Sequence, residues 1–249
     1  EKFEKQIASF VGAKYACSIH SATMAIFMSL LDKKKATIEI PCIIPPVVPN
    51  AILTSGHEVK YRDDVDWVGH SYVLHDFGES KPVGSIDGGM IVSNDEEKIR
   101  KIKTLSRYGA TFEINSWEKK HVLPGWKMYM NSFQAYVGLQ NFKKLESKAK
   151  RFDEIREFYN QELGLSNTSR HLYRLNVPNR EKFIKKMKDA GIQCGIHYKS
   201  VHDIDCYKSR FDVDLTKSIL ESEQTVSIPY HEKLTDEQID FIIKEVKCA

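Results

Sequence analysis

The chain has 249 residues, of which 41% are hydrophobic, 29% charged and 10% aromatic, and its formal net charge is +3. This length is enough to bury one large core or two modest ones, and so small a charge argues against a nucleic-acid partner. The five cysteines are odd in number and show no CxxC spacing, which predicts reduced thiols in a cytoplasmic protein. No apolar run is long enough to cross a bilayer, so no membrane association is expected.

Helices and short apolar strands alternate along the first half of the chain. Apolar spacing predicts a helix over residues 1–11 and a strand over residues 15–19, and Ser21 is a natural cap for a helix that runs to Leu31. Further along, the pattern predicts a strand at 37–40, a helix ending at Gly56, strands at 59–62, 72–75 and 90–92, and a helix that Asn94 and Asp95 cap and Gly109 ends.

The second half of the chain begins with a long amphipathic helix. The pattern predicts this helix from Asn131 toward Leu163, followed by a strand at 171–177, a helix at 179–190, a strand at 192–198, a helix near 215–224 and a final helix capped by Thr235. This order predicts an α/β layered fold with a first domain over residues 1–140 and a smaller C-terminal α+β domain over residues 141–249, joined by the long helix.

Lys81 precedes a predicted turn, and Gly88 and Gly89 follow it just before the strand at 90–92. A lysine amine in such a turn can form an imine with a carbonyl cofactor, and paired glycines let the backbone pass close to a flat ligand. Taken alone, the run is more typical of a solvated lysine in a hairpin.

Three other groups of polar residues are candidate binding sites. The start of the helix after Ser21 has free backbone N–H groups that suit a phosphate, although a plain cap is the simpler interpretation of Ser21. Asp76 follows the strand at 72–75, where α/β folds bind ligands, or it caps a nearby turn. His197, His202 and Asp203 fit no common metal-binding spacing, so no metal site is predicted.

Together these segments resemble the DegT/DnrJ/EryC1/StrS family of pyridoxal-phosphate (PLP) sugar aminotransferases. The matching residues occur in chain order: Phe3-Glu4 through Phe10, Gly12, Lys14-Tyr15-Ala16, Ser21-Ala22-Thr23-Met24-Ala25-Ile26, Ile40-Pro41, Gly56, Asp64-Val65-Asp66, Ser80-Lys81-Pro82, Asp87-Gly88-Gly89-Met90, Pro124-Gly125-Trp126, Gln134 to Gln140, Gly191-Ile192, His197-Tyr198, His202, Ile228-Pro229 and Thr235 to Gln238.

The resemblance implies a PLP-dependent transferase type I fold, similar to that of aspartate aminotransferase, and a homodimer. It implies that Lys81 forms the Schiff base with PLP and moves the proton of the substrate's α-carbon. Backbone amides of Ala22 and Thr23 would hold the cofactor's phosphate. Lys127 and Tyr129 stand where relatives have the Asn and Arg that reach the neighbouring subunit's phosphate, and Lys127 would supply positive charge toward that phosphate as a substitute for them. The implied substrates are a nucleotide-linked keto-sugar and an amino-acid donor.

The chain also departs from the family pattern, because it is shorter and lacks a block of the large domain before Lys81. Asp76 aligns either with the aspartate that pairs with the pyridine nitrogen or with a phosphate-binding serine, and the sequence leaves both alignments open. Pro45 stands where relatives have the aromatic residue that stacks on the PLP ring. Two functions follow: a PLP-dependent aminotransferase, or a catalytically inactive relative that keeps the scaffold for binding a sugar nucleotide or a protein.

Overall fold

The computed structural model describes residues 1–65, 81–111 and 119–249. The described residues form two compact units. Unit 1 takes those within Glu1–Lys34, Thr54–Gly56 and Val73–Leu145, and unit 2 takes those within Lys35–Leu53, His57–Tyr72 and Glu146–Ala249. The domain boundary at residue 140 stays a prediction.

Helices and strands alternate as the sequence predicts. The helices are α1 (Lys2–Phe10), α2 (Ala22–Leu30), α3 (Val47–Thr54), α4 (Glu96–Ser106), α5 (Ser132–Phe142), α6 (Leu145–Leu163), α7 (Arg180–Asp189), α8 (Thr216–Gln224) and α9 (Asp236–Cys248). The strands are β1 (Tyr15–Ile19), β2 (Thr37–Pro41), β3 (Glu58–Arg62), β4 (Gly89–Ser93), β5 (Tyr173–Asn176) and β6 (Thr225–Ile228). Across the part of the chain that is described, no helix is both long and apolar enough to cross a membrane.

The described strands pair two by two. In unit 1, β1 is antiparallel to β4, with Ile19 opposite Gly89. In unit 2, β2 is parallel to β3 and β5 is antiparallel to β6. The predicted strand at 72–75 lies outside the described residues.

Local capping signals explain where several helices begin. The Ser21 hydroxyl accepts a hydrogen bond from the Met24 N–H (3.3 Å), and the Asp95 carboxylate accepts one from the Lys98 N–H (3.1 Å). Thr235 and Gln238 form a reciprocal capping box at the start of α9. Each cap satisfies a backbone donor that has no partner within its helix, so these predicted helix starts are confirmed.

Unit 1 has an apolar cluster on each face of the β1–β4 pair, because the side chains of β1 alternate between the two faces. Successive side chains of a strand point to opposite faces. Ala16 therefore packs against α1, in a cluster with the buried Phe3 and Ile7. Cys17 and Ile19 point the other way and pack against α2 and α4, in a cluster with Met28, Ile99, Ile102 and Leu105.

Unit 2 has its core between the β5–β6 pair and helices α6, α7 and α9. The largest fully buried side chains there are Tyr159 and Tyr173, whose rings meet edge to face with centroids 4.8 Å apart. The β2–β3 pair of the same unit is held by residues 200–218. Both Asp63 carboxylate oxygens accept backbone N–H bonds at the start of α8, from Ser218 (2.6 Å) and Lys217 (3.1 Å).

The structure has two helices where the sequence predicts one. The Lys143 N–H donates to the Leu139 carbonyl (3.3 Å), and the Lys144 N–H donates to the Asn141 carbonyl (3.0 Å) in a tight turn, which ends α5. Leu145 belongs to the core of unit 1, whereas Phe152 and later apolar residues of α6 belong to that of unit 2. The apolar residues of the predicted long helix therefore belong to two separate cores. The periodicity of the sequence alone does not show where one core ends and the other begins.

The strand predicted over residues 192–198 is also absent from the described structure. Gly195 exchanges two backbone hydrogen bonds with Ser227 of β6 (2.9 and 2.8 Å), but the pairing stops at this one residue. The His197 ring lies against Gly195, where an added Cβ would come within 2.5 Å of the ring's Cε1 atom. This packing favours an isolated bridge instead of a regular strand.

Glu4 joins three elements of unit 1 through a buried carboxylate. Its Oε1 atom accepts the Ser18 N–H of β1 (2.8 Å) and the Ser18 hydroxyl (3.0 Å), and its Oε2 atom accepts Lys103 Nζ of α4 (2.9 Å). Burial opposes the charged form, but the hydrogen bonds from Lys103 and Ser18 outweigh it and hold the pKa of Glu4 below its ordinary value of 4.5.

We expect this carboxylate to make unit 1 sensitive to acid. Because the folded-state pKa is lowered, the stabilisation is fully present above about pH 4.5 and is lost as pH falls through the folded value, since the unfolded chain takes up the proton first. Glu4→Gln should lower the free energy of unfolding at neutral pH by ~1–3 kcal/mol and flatten its decline in acid. Urea titrations across pH measure both effects.

The matched control is Glu223→Gln, which changes an exposed carboxylate on α8. It should leave the unfolding free energy within ~0.5 kcal/mol of the parent protein at every pH. An equal acid sensitivity in the parent and the Glu4→Gln variant would show that this carboxylate does not control it.

Candidate functional site

The start of α2 presents backbone donors. His20 and Ser21 link β1 to α2, and the first helical residues are Ala22 and Thr23. The Met24 N–H donates to the Ser21 hydroxyl and the Ala25 N–H donates to the Ser21 carbonyl, whereas the N–H groups of Ala22 and Thr23 have no acceptor among the described residues. Two uncommitted donors at the positive end of a helix dipole suit an anion.

Gly89 brings the start of β4 against this helix terminus. A Cβ at Gly89 would lie 2.7 Å from both the Ala22 Cα atom and the Ser21 carbonyl oxygen, and 2.9 Å from the Ala22 nitrogen. These distances are too short for any side chain, so only glycine allows the two backbones to approach in this way. The glycine that the sequence pairs with Lys81 therefore lies at the candidate anion site.

The segment 126–130 runs beside the same terminus. The His20 N–H donates to the Met128 carbonyl (2.8 Å), while the Met128 N–H donates to the Ser106 carbonyl (2.8 Å). Lys127 directly precedes Met128, its side chain is exposed, and its backbone pairs with Arg107. A basic residue thus lies one position from the backbone that contacts His20.

Lys81 opens the segment 81–88, which we name the Lys81 loop. Its side chain is half-buried, and Pro82 and Val83 after it are buried. Ile86 is 52% exposed and has φ 75°, a conformation that costs a β-branched residue about 1–3 kcal/mol and persists only where surrounding contacts hold it. The loop is therefore anchored and not free to relax.

Hydrogen bonds from α5 supply that anchoring. The Asn141 side-chain amide donates to the Gly84 carbonyl (2.6 Å), and the Gln134 amide donates to the Asp87 carbonyl (3.0 Å). The Ser85 hydroxyl also donates to the Asp87 carbonyl (2.9 Å). The sequence matches Gln134 to the family pattern but carries no local signal for this contact with a distant segment.

The cysteines offer no competing nucleophile in either unit's interior. Burial raises the pKa of Cys17 to about 12 and that of Cys194 to about 11, so both stay protonated at neutral pH. Burial also raises the pKa of Cys42, whose sulfur contacts the Ser200 hydroxyl and lies 3.6 Å from His202 Nδ1. Thiol catalysis in these interiors is therefore disfavoured.

The structure brings some of the predicted site residues together. Ala22 and Thr23 lie at one helix terminus, next to Gly89 and one short segment from Lys127. Lys81 lies in the same unit, in the loop that leads to Gly89. Asp76 lies outside the described residues, so both of its proposed roles stay open.

The residues present fit the phosphate end of PLP. The N–H groups of Ala22 and Thr23, which have no acceptor among the described residues, match a phosphate, and Gly89 adds no side chain at this terminus. The amine of Lys81 supplies the residue type that PLP requires for covalent attachment. Pro45, at the position of the family's stacking residue, belongs to unit 2.

Two curated relatives are similar over nearly the whole chain. A UDP-4-amino-4,6-dideoxy-N-acetyl-beta-L-altrosamine transaminase from Campylobacter jejuni is 21% identical over 329 positions, which cover 97% of this chain and 87% of the relative. The spore coat polysaccharide biosynthesis protein SpsC from Bacillus subtilis is 25% identical over 344 positions, covering 99% and 88%. Both alignments are longer than the chain, so the relatives carry segments that it lacks.

Solved structures share the fold at low identity. PseC from Helicobacter pylori, an aminotransferase involved in the biosynthesis of pseudoaminic acid, matches with a TM-score of 0.87 at 19% identity, over 99% of this chain and 90% of that one. A Streptococcus pneumoniae protein named as a sugar aminotransferase, solved in its PLP form, matches with a TM-score of 0.85 at 18% identity, over 99% and 90%. The predicted type I fold of PLP-dependent transferases is confirmed.

The family model of the DegT/DnrJ/EryC1/StrS aminotransferases matches residues 71–247. This range holds Lys81, Gly89 and both anchoring amides of α5. The match covers well over half of the chain and agrees with the order of motifs read from the sequence. The chain belongs to the DegT/DnrJ/EryC1/StrS aminotransferase family.

Proposed function

We propose that this protein is a PLP-dependent aminotransferase that converts the keto group of a nucleotide-linked sugar to an amine. The observation that carries the proposal is the start of α2, where the N–H groups of Ala22 and Thr23, without an acceptor in the described part of the chain, lie beside Gly89, the residue that follows the Lys81 loop. The names of the two curated relatives, a UDP-sugar transaminase and a polysaccharide biosynthesis protein, support the substrate class.

Each candidate residue has a distinct task in this proposal. PLP, when bound, supplies an electron sink for the electrons released at the substrate's α-carbon. The amine of Lys81 holds the cofactor and afterwards moves a proton at that carbon. The N–H groups of Ala22 and Thr23 bind the phosphate, and Lys127 adds positive charge toward a phosphate across a dimer. Asp76 either pairs with the ring nitrogen or lies toward the phosphate.

The proposal includes a homodimer in the cytoplasm. Family resemblance supports the dimer, and the five unpaired cysteines support a reducing compartment. Light scattering coupled to size exclusion reports the assembly directly.

Amino transfer itself tests the proposal. The purified protein is saturated with PLP and offered nucleotide-linked keto-sugars with a panel of amino-acid donors, and products are identified by mass spectrometry. We expect an amino-sugar product that depends on PLP and on a donor. A protein that binds the nucleotide sugar but yields no such product with any donor would support the inactive scaffold instead.

A further inference from the structure

One face of α5 carries polar and small residues where a helix packed on a core normally carries apolar ones. Gln134, Gly138 and Asn141 are spaced at i, i+4 and i+7, so they lie in one stripe along the helix. We name these three residues the α5 stripe. Gly138 is buried, and the two amides on either side of it are half-buried.

The α5 stripe faces the backbone of the Lys81 loop. Its two amides donate to the Gly84 and Asp87 carbonyls, so the loop is held at two points. Between these points, a Cβ at Gly138 would lie 2.8 and 2.9 Å from two ring atoms of Phe3 and 3.1 Å from the Cβ atom of Ser85, which is fully buried. The missing side chain thus lets the helix approach closely enough for both amides to reach the loop.

The two held carbonyls leave Lys81 little backbone freedom. Pro82 fixes its own φ, and Val83 is fully buried in the core of unit 1, two residues from Lys81. The first held carbonyl, that of Gly84, comes directly after Val83. The backbone from Lys81 to Asp87 is therefore tied to α5.

We propose that the α5 stripe is the positioning device for the Lys81 amine, with Gln134 and Asn141 as positioning residues that touch neither substrate nor cofactor. This inference rests on the proposed function, because it gives the amine a reaction to be positioned for. Removing either amide donor breaks one of the two links between α5 and the loop, and the Asp87 carbonyl then keeps only its bond from the Ser85 hydroxyl within the loop when Gln134 is the residue changed. The amine then samples orientations that do not reach a carbonyl compound bound at the start of α2.

Gln134→Glu separates the loop contact from the helix cap. Gln134 Oε1 accepts the Asn131 N–H in a capping box (3.2 Å), and a glutamate oxygen keeps this bond while the donor to Asp87 is lost. Asn141→Asp removes the other donor. The matched control is Gln238→Glu, the same change at the same position of the α9 capping box, where Gln238 Oε1 accepts the Thr235 N–H (3.0 Å).

Two measurements that need no turnover test the inference. The first is hydrogen exchange of the amides in residues 83–89. The second uses PLP and sodium borohydride as probes, with the pyridoxyl label on each lysine quantified by mass spectrometry. In both loop variants we expect faster exchange and slower labelling of Lys81 by about fivefold to tenfold each, as for one lost hydrogen bond, with other lysines unchanged. The control should match the parent protein.

Kinetics give a third readout. If amino transfer is measured, kcat should fall by the same factor while KM for the sugar stays constant, because the α5 stripe orients the amine and does not bind the sugar. Parental labelling of Lys81 in both variants would overturn the inference, whether or not exchange becomes faster. If the parent protein itself shows no preferred labelling of Lys81, the proposed function fails, and the exchange data alone then decide whether α5 holds the loop.

Discussion

Replacing Lys81 with alanine is expected to abolish amino transfer and covalent attachment of PLP. The side-chain amine is the group that bonds to the cofactor's aldehyde and moves the proton, and losing a general acid–base group alone costs about 100- to 10,000-fold in rate. The visible absorbance band of lysine-bound PLP should be absent from the variant. Absorbance spectra and single-turnover rates measure the two effects.

Lys81→Arg and Lys101→Ala are the controls for this result. Arginine keeps the positive charge but stays protonated, so it should be as inactive as alanine. Lys101 is half-exposed, and its amine pairs with the Asp32 carboxylate of the same unit at 2.8 Å, so its loss should leave the spectrum and the rate unchanged. A parental absorbance band in Lys81→Ala would assign the attachment to a different lysine.

Gly89→Ala is expected to destroy the phosphate site and to destabilise unit 1. The new Cβ would lie 2.7–2.9 Å from three backbone atoms of Ser21 and Ala22, and backbone cannot move aside as the end of a side chain can. Overpacking of this kind costs ~1–3 kcal/mol. Because the same shift moves the two N–H donors, affinity for PLP should fall, whereas affinity for pyridoxal, which has no phosphate, should change little.

Comparing the affinity for PLP with the affinity for pyridoxal distinguishes damage to the phosphate site from a general loss of stability. Gly12 lies in the same unit at φ 73° with open space around it, so Gly12→Ala should lower stability through backbone strain without filling the site. This control should keep the parental preference for PLP over pyridoxal in absorbance titrations. A preference retained by Gly89→Ala would mean that the phosphate binds away from α2.

Local chemistry in the sequence was enough to predict much of the fold. Ser21, Asp95 and Thr235 carry short polar side chains at helix starts, and such capping depends on a few neighbouring residues only. The break at Lys143 depends instead on which core the neighbouring apolar residues join, and the single bridge at Gly195 depends on the packing of the His197 ring against it. The strand β6, buried at all four positions, is not among the predicted elements, because Ile228 enters the sequence analysis only as part of the family motif Ile228-Pro229.

The candidate site also has parts that the sequence predicts and parts that it does not. The family, the fold and the aminotransferase class follow from ordered motifs and are confirmed by the comparisons, which give no support to an inactive scaffold. The roles of Lys81, Ala22, Thr23, Lys127 and Asp76 stay predictions. The anchoring by Gln134 and Asn141 was not predicted, because an amide that binds backbone from a distant segment leaves no local pattern.

The contacts of the β2–β3 pair have a consequence for synthesis of the chain. Cys42, Glu58, Val59, Tyr61 and Asp63 bond to residues that are 146 to 158 positions later. A ribosome makes the chain from its amino end, so the pair emerges long before the residues that complete it. Until then, the Cys42 thiol and the Tyr61 ring lack these partners and are open to solvent and to chaperones, and only translation through Ser218 completes the contacts of this part of unit 2.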